Sequence, residues 1–202
     1  RQTPVTGVAA RHLNGYMLDL SGVVIGDLPY LPGDFSHVTA INLSRTYMSQ
    51  QSVSALVTKC PALCWLNAEN NFLSVVPAGI RNLRQLTRLT LANNRIVLTG
   101  DMVQTFRRLP SLRLLNLERN PIGPLLDVSG MPQLLNLFLR ATGIQDAPAG
   151  VFEIPNLMAL DLRGNRITTL PDAFFESPGA VRHTLLDGNP LSAGTQARIS
   201  AL

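Results

Sequence analysis

Leu157 to Ile167 read LMALDLRGNRI, and the same frame returns as LTRLTLANNRI from Leu86 to Ile96 and as LRLLNLERNPI from Leu112 to Ile122. All three fit L-x-x-L-x-L-x-x-N-x-L, with Ile closing each. Set in phase with them, LCWLNAENNFL from Leu63 carries Ala68 at one core position, while LLNLFLRATGI from Leu134 and VTAINLSRTYM from Val38 place Thr142 and Thr46 at the Asn position. The match loosens at the ends, where GYMLDLSGVVI from Gly15 has Val23 at the Asn position and VRHTLLDGNPL from Val181 has Thr184 at an inner apolar one. The starts at 15, 38, 63, 86, 112, 134, 157 and 181 lie 23, 25, 23, 26, 22, 23 and 24 residues apart. A period in this range marks stacked units, each too small to bury its own apolar face, and the terminal units of such a stack are expected to be atypical.

The frame is that of leucine-rich repeats, and it implies an α/β solenoid, a horseshoe of about eight repeats with a parallel sheet on the concave face and short helices or turns on the convex one. In Leu160-Asp161-Leu162 two apolar residues flank a polar one, the alternation of a short strand whose leucines point inward. Asn71, Asn94, Asn120, Asn165 and Asn189 fall where the chain leaves the strand, so their amides are expected to bond backbone groups left without strand partners. The second halves, such as SVVPAGIRNLRQ from Ser74 and TTLPDAFFESPGA from Thr168, are less regular, and Pro29, Pro77 and Pro171 argue against continuing strands. Strands pack about 4.8 Å apart whereas helical layers need roughly 10 Å, so the stack must curve with its sheet inside. Residues 1–14 are expected to form an N-terminal cap and residues 15–191 the repeats. Residues 192–202 are either a capping helix, with Ser192 as N-cap and Thr195, Ile199 and Leu202 on its apolar side, or the start of a further domain.

The third, fifth and seventh residues of each unit alternate away from the core and should line the concave face. The third column runs Met17, Ala40, Trp65, Arg88, Leu114, Asn136, Ala159, His183; the fifth runs Asp19, Asn42, Asn67, Thr90, Asn116, Phe138, Asp161, Leu185; the seventh runs Ser21, Ser44, Glu69, Ala92, Glu118, Arg140, Arg163, Asp187. From these the candidate partner-binding residues are Trp65, Asn67, Glu69, Arg88, Leu114, Asn116, Phe138, Arg140, Asp161 and Arg163. Trp65, the only Trp, stands here either as an anchor for a partner or as one of the scattered exposed apolar groups that monomers tolerate. Phe138 and Leu114 on adjacent strands form a second candidate patch. Glu69 and Glu118 lie toward one end of the seventh column and Arg140 and Arg163 toward the other, an asymmetry that would orient a partner or simply keep the face soluble.

Composition narrows the chemistry. The 202 residues are 46% hydrophobic, 15% charged and only 5% aromatic, which fits an ordered, aliphatic core. The net charge of +4 does not point to nucleic acid, because the arginines are scattered and Lys59 is the only Lys. No apolar run is long enough to span a bilayer, so no membrane partner is implied. The start at Arg1, without Met or a signal pattern, is read as the edge of a soluble segment of something longer. Cys60 and Cys64, the only cysteines, make neither a zinc signature nor a disulfide framework, and their absence near the termini disfavours an extracellular receptor module with disulfide caps and favours a reducing compartment. His12, His37 and His183 fall in different units, so no metal site, cofactor or histidine-based catalysis is implied. The frame supplies no base beside Cys64, which is read as a structural thiol rather than a nucleophile. Nor do the glycines form a phosphate-binding loop.

The run LDLRGNRITTLPDAFFESPGAVRHTLLDGNPLSAGTQARISAL, most of all GNPLS at Gly188 to Ser192, resembles the end of the repeat region in bacterial NEL-type (IpaH-like) effector E3 ubiquitin ligases. In that family the repeats select a host protein substrate, can restrain the ligase, and lead into a separate helical domain that bears the catalytic cysteine and meets ubiquitin and the E2. The units here are longer than in the shortest members and carry Phe174 and Phe175, which looks more like a long-repeat branch. The resemblance implies a secreted effector acting in the host cytoplasm, with its catalytic cysteine beyond Leu202 and no catalytic role for Cys60 or Cys64. The alternative is a stand-alone leucine-rich-repeat interaction protein with no enzymatic context.

Overall fold

Stacking the units in register gives one sheet of nine strands in chain order, described in a computed structural model over residues 2–4 and 15–202. The strands are β1 (Gln2–Pro4), β2 (Tyr16–Asp19), β3 (Val38–Asn42), β4 (Trp65–Asn67), β5 (Arg88–Thr90), β6 (Leu114–Asn116), β7 (Asn136–Phe138), β8 (Ala159–Asp161) and β9 (Thr184–Leu185). From β2 to β9 every pair is parallel, and the register aligns equivalent repeat positions: Leu66 with Leu89, Leu89 with Leu115, Leu137 with Leu160. The expected eight-strand parallel sheet is present. The ninth, β1, runs antiparallel to β2, pairing Gln2 with Leu18 and Pro4 with Tyr16. It lies in the segment expected to cap the N-terminal end, the rest of which, with His12, is outside the described residues.

The core is the aliphatic stripe of the repeat. Ile41 and Leu43, Leu89 and Leu91, Leu115 and Leu117, and Leu137 and Leu139 are fully buried, as is the closing residue in Ile96, Ile122 and Ile167. The end units are looser, with Leu20, Leu186 and Leu191 only partly covered. Each strand exit extends the backbone ladder. The N–H of the sixth residue donates to the fifth carbonyl of the next repeat and the N–H of the eighth to its seventh, as in Leu91 to Asn116 at 2.8 Å and Asn93 to Glu118 at 2.9 Å. To reach that geometry the eighth residue takes a left-handed conformation in every unit: Gly22, Arg45, Asn70, Asn93, Arg119, Ala141, Gly164 and Gly188 all have positive φ. For the Arg and Ala residues this costs about 1 kcal/mol each.

The Asn column then locks neighbouring exits together. Asn94 is buried; its Oδ1 accepts from the N–H groups of Asn71 (3.0 Å) and Leu73 (2.9 Å), and its Nδ2 donates to the carbonyls of Ala68, Leu91 and Ala92. Asn120 and Asn165 repeat the pattern, reaching back to Leu91 and Leu139 respectively. Thr46 and Thr142 keep the local bond and meet the Asn of the following unit, at 2.9 Å to Asn71 Oδ1 and 3.0 Å to Asn165 Oδ1. Each hydroxyl donates to the carbonyl three residues earlier, Leu43 or Leu139, and none crosses to the preceding unit. No side-chain rung therefore links Thr142 to Leu117, whose carbonyl takes only the Asn120 amide from this column.

Convex elements follow local signals. Ser49 accepts from the Ser52 N–H at 3.2 Å and starts α1 (Gln50–Thr58), whose buried Val53, Leu56 and Val57 share one side before Pro61 ends the run. Asp101 lies in the first turn of α2 (Gly100–Arg107), with Val103 and Phe106 buried. Short 3₁₀ turns fill Ala78–Asn82 and Val151–Glu153. The latter begins at Gly150, whose φ of 74° and close approach to Ser129, 2.6 Å from where a Cβ would lie, admit no side chain. Two second halves depart from the expected helical turn. Residues 26–37 and 123–133 hold no helix, and the second is extended enough for Asp127 to bridge Ala149.

At the C-terminal end α3 (Asp172–Glu176) and α4 (Pro178–His183) precede β9, and α5 (Ala193–Ser200) follows the last repeat. Ser192 caps α5 as expected, accepting from the Thr195 N–H at 3.2 Å, and Thr195 in turn bonds the Thr168 carbonyl. Arg198 lies 3.7 Å over the Phe175 ring and pairs with Asp172 at 2.8 Å. Two expectations are corrected here. Leu202 falls past the end of α5 and is exposed, so the sealing side of the helix is Thr195 and Ile199 alone. His183 ends α4 instead of occupying a strand, because the last strand shortens to Thr184–Leu185.

The rungs carry a direct test. Asn94→Ala leaves several buried backbone groups without partners and should lower unfolding stability by about 2–4 kcal/mol in urea titration. Thr142→Asn restores the missing rung and should raise it by about 1 kcal/mol, whereas a loss would mean the Thr is required by its own surroundings.

Candidate recognition surface

The inner face is built by strands so short that each contributes only its third, fifth and seventh residues to the surface. Trp65 on β4 sits between Ala40 on β3 and Arg88 on β5 and is half-buried, not free-standing. Leu114 lies beside Arg88 and Asn136, and Phe138 beside Asn116 and Asp161, so Leu114 and Phe138 are diagonal neighbours across β6 and β7. Both are half-buried. Arg88 and Arg140 are exposed, with no carboxylate in ion-pair range among the described residues. The face thus holds Leu114 and Phe138 as an apolar diagonal, with Trp65 in the Leu114 row beyond Arg88, and Arg140 next along the face.

Several candidates also serve the strand exits. Asn67 Oδ1 accepts the Glu69 N–H (3.1 Å), Asn116 Oδ1 the Glu118 N–H (2.9 Å) and Asp161 Oδ1 the Arg163 N–H (3.0 Å). Asp19 and Asn42 do the same for Ser21 and Ser44. The fifth-position Asx residues are therefore turn-formers, and the recurrence of Asp or Asn at that place, two residues before the seventh, is the sequence signal for it. Glu69 is similarly engaged, its Oε1 accepting from the amides of Asn70 (2.9 Å) and Asn93 (3.1 Å).

Asp161 departs most from an open surface residue. It is only 3% exposed, and Arg163 closes over it with two hydrogen bonds, Nε to Oδ1 at 2.9 Å and Nη2 to Oδ2 at 2.6 Å. Burial by itself would push the Asp161 carboxyl up, but the bonds from the Arg163 side chain and N–H, with the charges of Arg163 and Arg140, hold it below the usual carboxylate value. The pair presents a covered carboxylate and a half-buried guanidinium rather than two free charges.

Neither thiol is activated. Burial pushes Cys60 up to about 11 and also raises Cys64, so both favour the inert protonated form. Cys64 lines a hollow of about 690 Å³ at the strand-start edge together with Gln85, Thr87, Ser111, Arg113 and Gln133, away from the concave columns. His37 stacks edge-on against Tyr16, with ring centroids 5.4 Å apart. Among the described residues no group of His, Cys, Asp and Glu is placed to hold a metal ion, and no helix is long and apolar enough to cross a membrane.

In-phase rungs, parallel register and an inner face of alternating side chains define a leucine-rich-repeat solenoid, the kind of domain that generally binds protein partners. Residues 132–191 match a family model described as leucine rich repeat. Over 96 residues, 45% of this chain and 10% of the relative, the sequence is 35% identical to a probable glycoprotein hormone G-protein coupled receptor of Anthopleura elegantissima. Over 92 residues, 46% of this chain and 17% of the relative, it is 30% identical to tubulin-specific chaperone E of Xenopus laevis. The chain thus spans a small part of either. Among solved structures, a leucine-rich-repeat protein of Leptospira interrogans superposes with a TM-score of 0.62 at 22% identity, over 88% of this chain and 46% of the other. Internalin C2 of Listeria monocytogenes superposes with 0.58 at 18% identity, over 74% and 62%. At these identities the structural likeness speaks for the fold alone.

The Asp161 environment predicts an acid response. A carboxyl whose folded value lies below its unfolded value near 3.8 contributes stability above that value and loses it as pH falls through the folded one. Thermal melts should therefore decline as pH drops from about 5 toward 3. Asp161→Asn should flatten that limb; an unchanged pH profile would show that the carboxylate carries none of it.

Proposed function

We propose that this chain recognises a protein partner across the concave face of β4 to β8, with Trp65, Leu114 and Phe138 as the apolar anchors and Arg88 and Arg140 as the orienting charges. One observation carries this reading: the three large apolar residues lie on the outward side of the sheet while a complete aliphatic core exists on the other side. They are not needed to bury the leucines, and their partial exposure leaves area for a partner to desolvate. Glu69 and Glu118 in the seventh column, followed by the unpaired Arg140, bias the direction in which that partner lies.

Our finer reading is that the partner is a host protein and that the repeats are the substrate-selecting part of a secreted bacterial E3 ubiquitin ligase acting in the host cytoplasm. What supports it is the likeness of the run from Leu160 to Leu202, above all GNPLS at Gly188 to Ser192, to the end of that family's repeat region. A helix capped at Ser192 directly after the last repeat suits a junction with a helical catalytic domain. A second reading, an interaction module without enzymatic context, draws on the two relatives above, a receptor and a chaperone by name.

The two levels are tested separately. Trp65→Ala and Phe138→Ala should leave the thermal midpoint nearly unchanged and weaken binding to proteins retained by the immobilised chain by about 2 kcal/mol each. Retention of every bound protein by both variants would sink the concave reading. The natural full-length protein, incubated with charged E2, should transfer ubiquitin; no transfer removes the ligase reading and leaves recognition standing.

A further inference from the structure

The eighth, tenth and twelfth residues of the units line the edge where the strands exit, and across all eight units these places hold four arginines, Arg45, Arg95, Arg119 and Arg166, and no Asp or Glu. The concave columns differ sharply, mixing Asp19, Glu69, Glu118, Asp161 and Asp187 with their arginines. None of the four edge arginines is ion-paired among the described residues. Of the acids in the adjoining seventh column, Glu69 accepts from Asn70 and Asn93 and Glu118 from Asn116.

The same edge exposes apolar side chains that the core does not use. Val24 is 75% exposed, Tyr47 50%, Phe72 55% and Val97 54%. Tyr47 and Phe72 stack with ring centroids 5.6 Å apart, and the Arg95 guanidinium lies 4.7 Å from the Phe72 centroid. Val24, Tyr47, Phe72 and Arg95 are the tenth residues of four consecutive units, so they form one continuous ridge.

Tyr47 and Phe72 also hold φ of 55° and 61°. The fold does not demand this of the tenth position, since Arg95 and Arg166 occupy it without positive φ, and where a left-handed residue recurs there, at position 143, it is Gly. Two exposed aromatic residues thus sit on strained backbone at a place where glycine would do. Strain kept beneath an exposed aromatic pair points to a role for the surface itself.

We infer that this ridge is a second binding edge, separate from the concave face, and that its occupant is an acidic protein segment bearing an apolar or aromatic side chain. The arginines supply the charge complementarity, and Tyr47 and Phe72, with the flanking valines, supply a platform for one large apolar group. A polyanionic nucleic acid is the poorer match. Half of the apolar surface is valine, which offers no ring for a base to stack on, and four dispersed arginines neutralise few phosphates.

The test uses the whole chain and three fluorescein-labelled probes in anisotropy titrations: a short peptide alternating Glu with Trp and Leu, the same peptide with Lys for Glu, and a single-stranded oligonucleotide of thymidines. The acidic peptide should bind, weaken with added salt, and lose at least about tenfold in affinity on Phe72→Gly or Arg95→Glu. Phe72→Gly relieves the strained φ, so its thermal midpoint should hold or rise while binding falls. Trp65→Ala should leave peptide binding unchanged. The inference is overturned by no binding of the acidic peptide, by equal binding of the basic one, by tighter binding of the oligonucleotide, or by loss on Trp65→Ala with retention on Phe72→Gly. That last result would place the peptide on the concave face and leave the proposed function intact.

Discussion

At the end of each strand the chain must turn away from the sheet without leaving backbone N–H and C=O groups stranded in a dry interior, and strands of about three residues give it almost no ladder to spare. The exits meet this demand by three linked devices. The eighth residue goes left-handed, so that its N–H reaches the next unit. The ninth amide, where it is Asn, bonds both its own exit and the one before it. The fifth side chain, where it is Asp or Asn, accepts the N–H of the seventh. Each device adds to a frame that the others also hold, which is why units with Thr at the ninth place or Thr and Phe at the fifth stay in register.

The repeat frame was legible because period and apolar alternation are both visible in the residues themselves. Leu86, Leu89, Leu91 and Ile96 declare their burial by spacing, and the sheet register follows once the units are laid in phase. What was not legible lay outside the period or depended on conformation without a residue preference. The strand at Gln2–Pro4 belongs to no repeat. Arg45, Arg119 and Ala141 give no hint of a left-handed backbone, although Gly22, Gly164 and Gly188 at the same place do. Asp161 read as an open acid because nothing in the sequence says that Arg163 folds back over it.

The same logic separates the surfaces. On the concave face, alternation alone places a side chain outward, but whether it is free depends on what the exit has already claimed. Asn67, Asn116, Asp161 and Glu69 each give some of their polar capacity to the protein itself. Trp65, Leu114, Phe138, Arg88 and Arg140 give none to the turns. At the exit edge the residue types are unremarkable one by one, and only the stacking of units brings Tyr47, Phe72 and Arg95 into a single ridge.

Thr142 has a consequence for the seam between the fifth and sixth units. Asn120 and Asn165 on either side tie their units back by buried amides, whereas between the fifth and sixth units, as between the first and second, that tie is missing. On the convex side the same seam is held by the bridge between Asp127 and Ala149 in place of packed helices. Stability in such a stack is a sum of terms between neighbours, so the missing tie acts at this seam. The seam between β6 and β7 therefore rests on its backbone ladder and aliphatic stripe without an Asn rung, and it runs through the apolar face, with Leu114 on one side of it and Phe138 on the other.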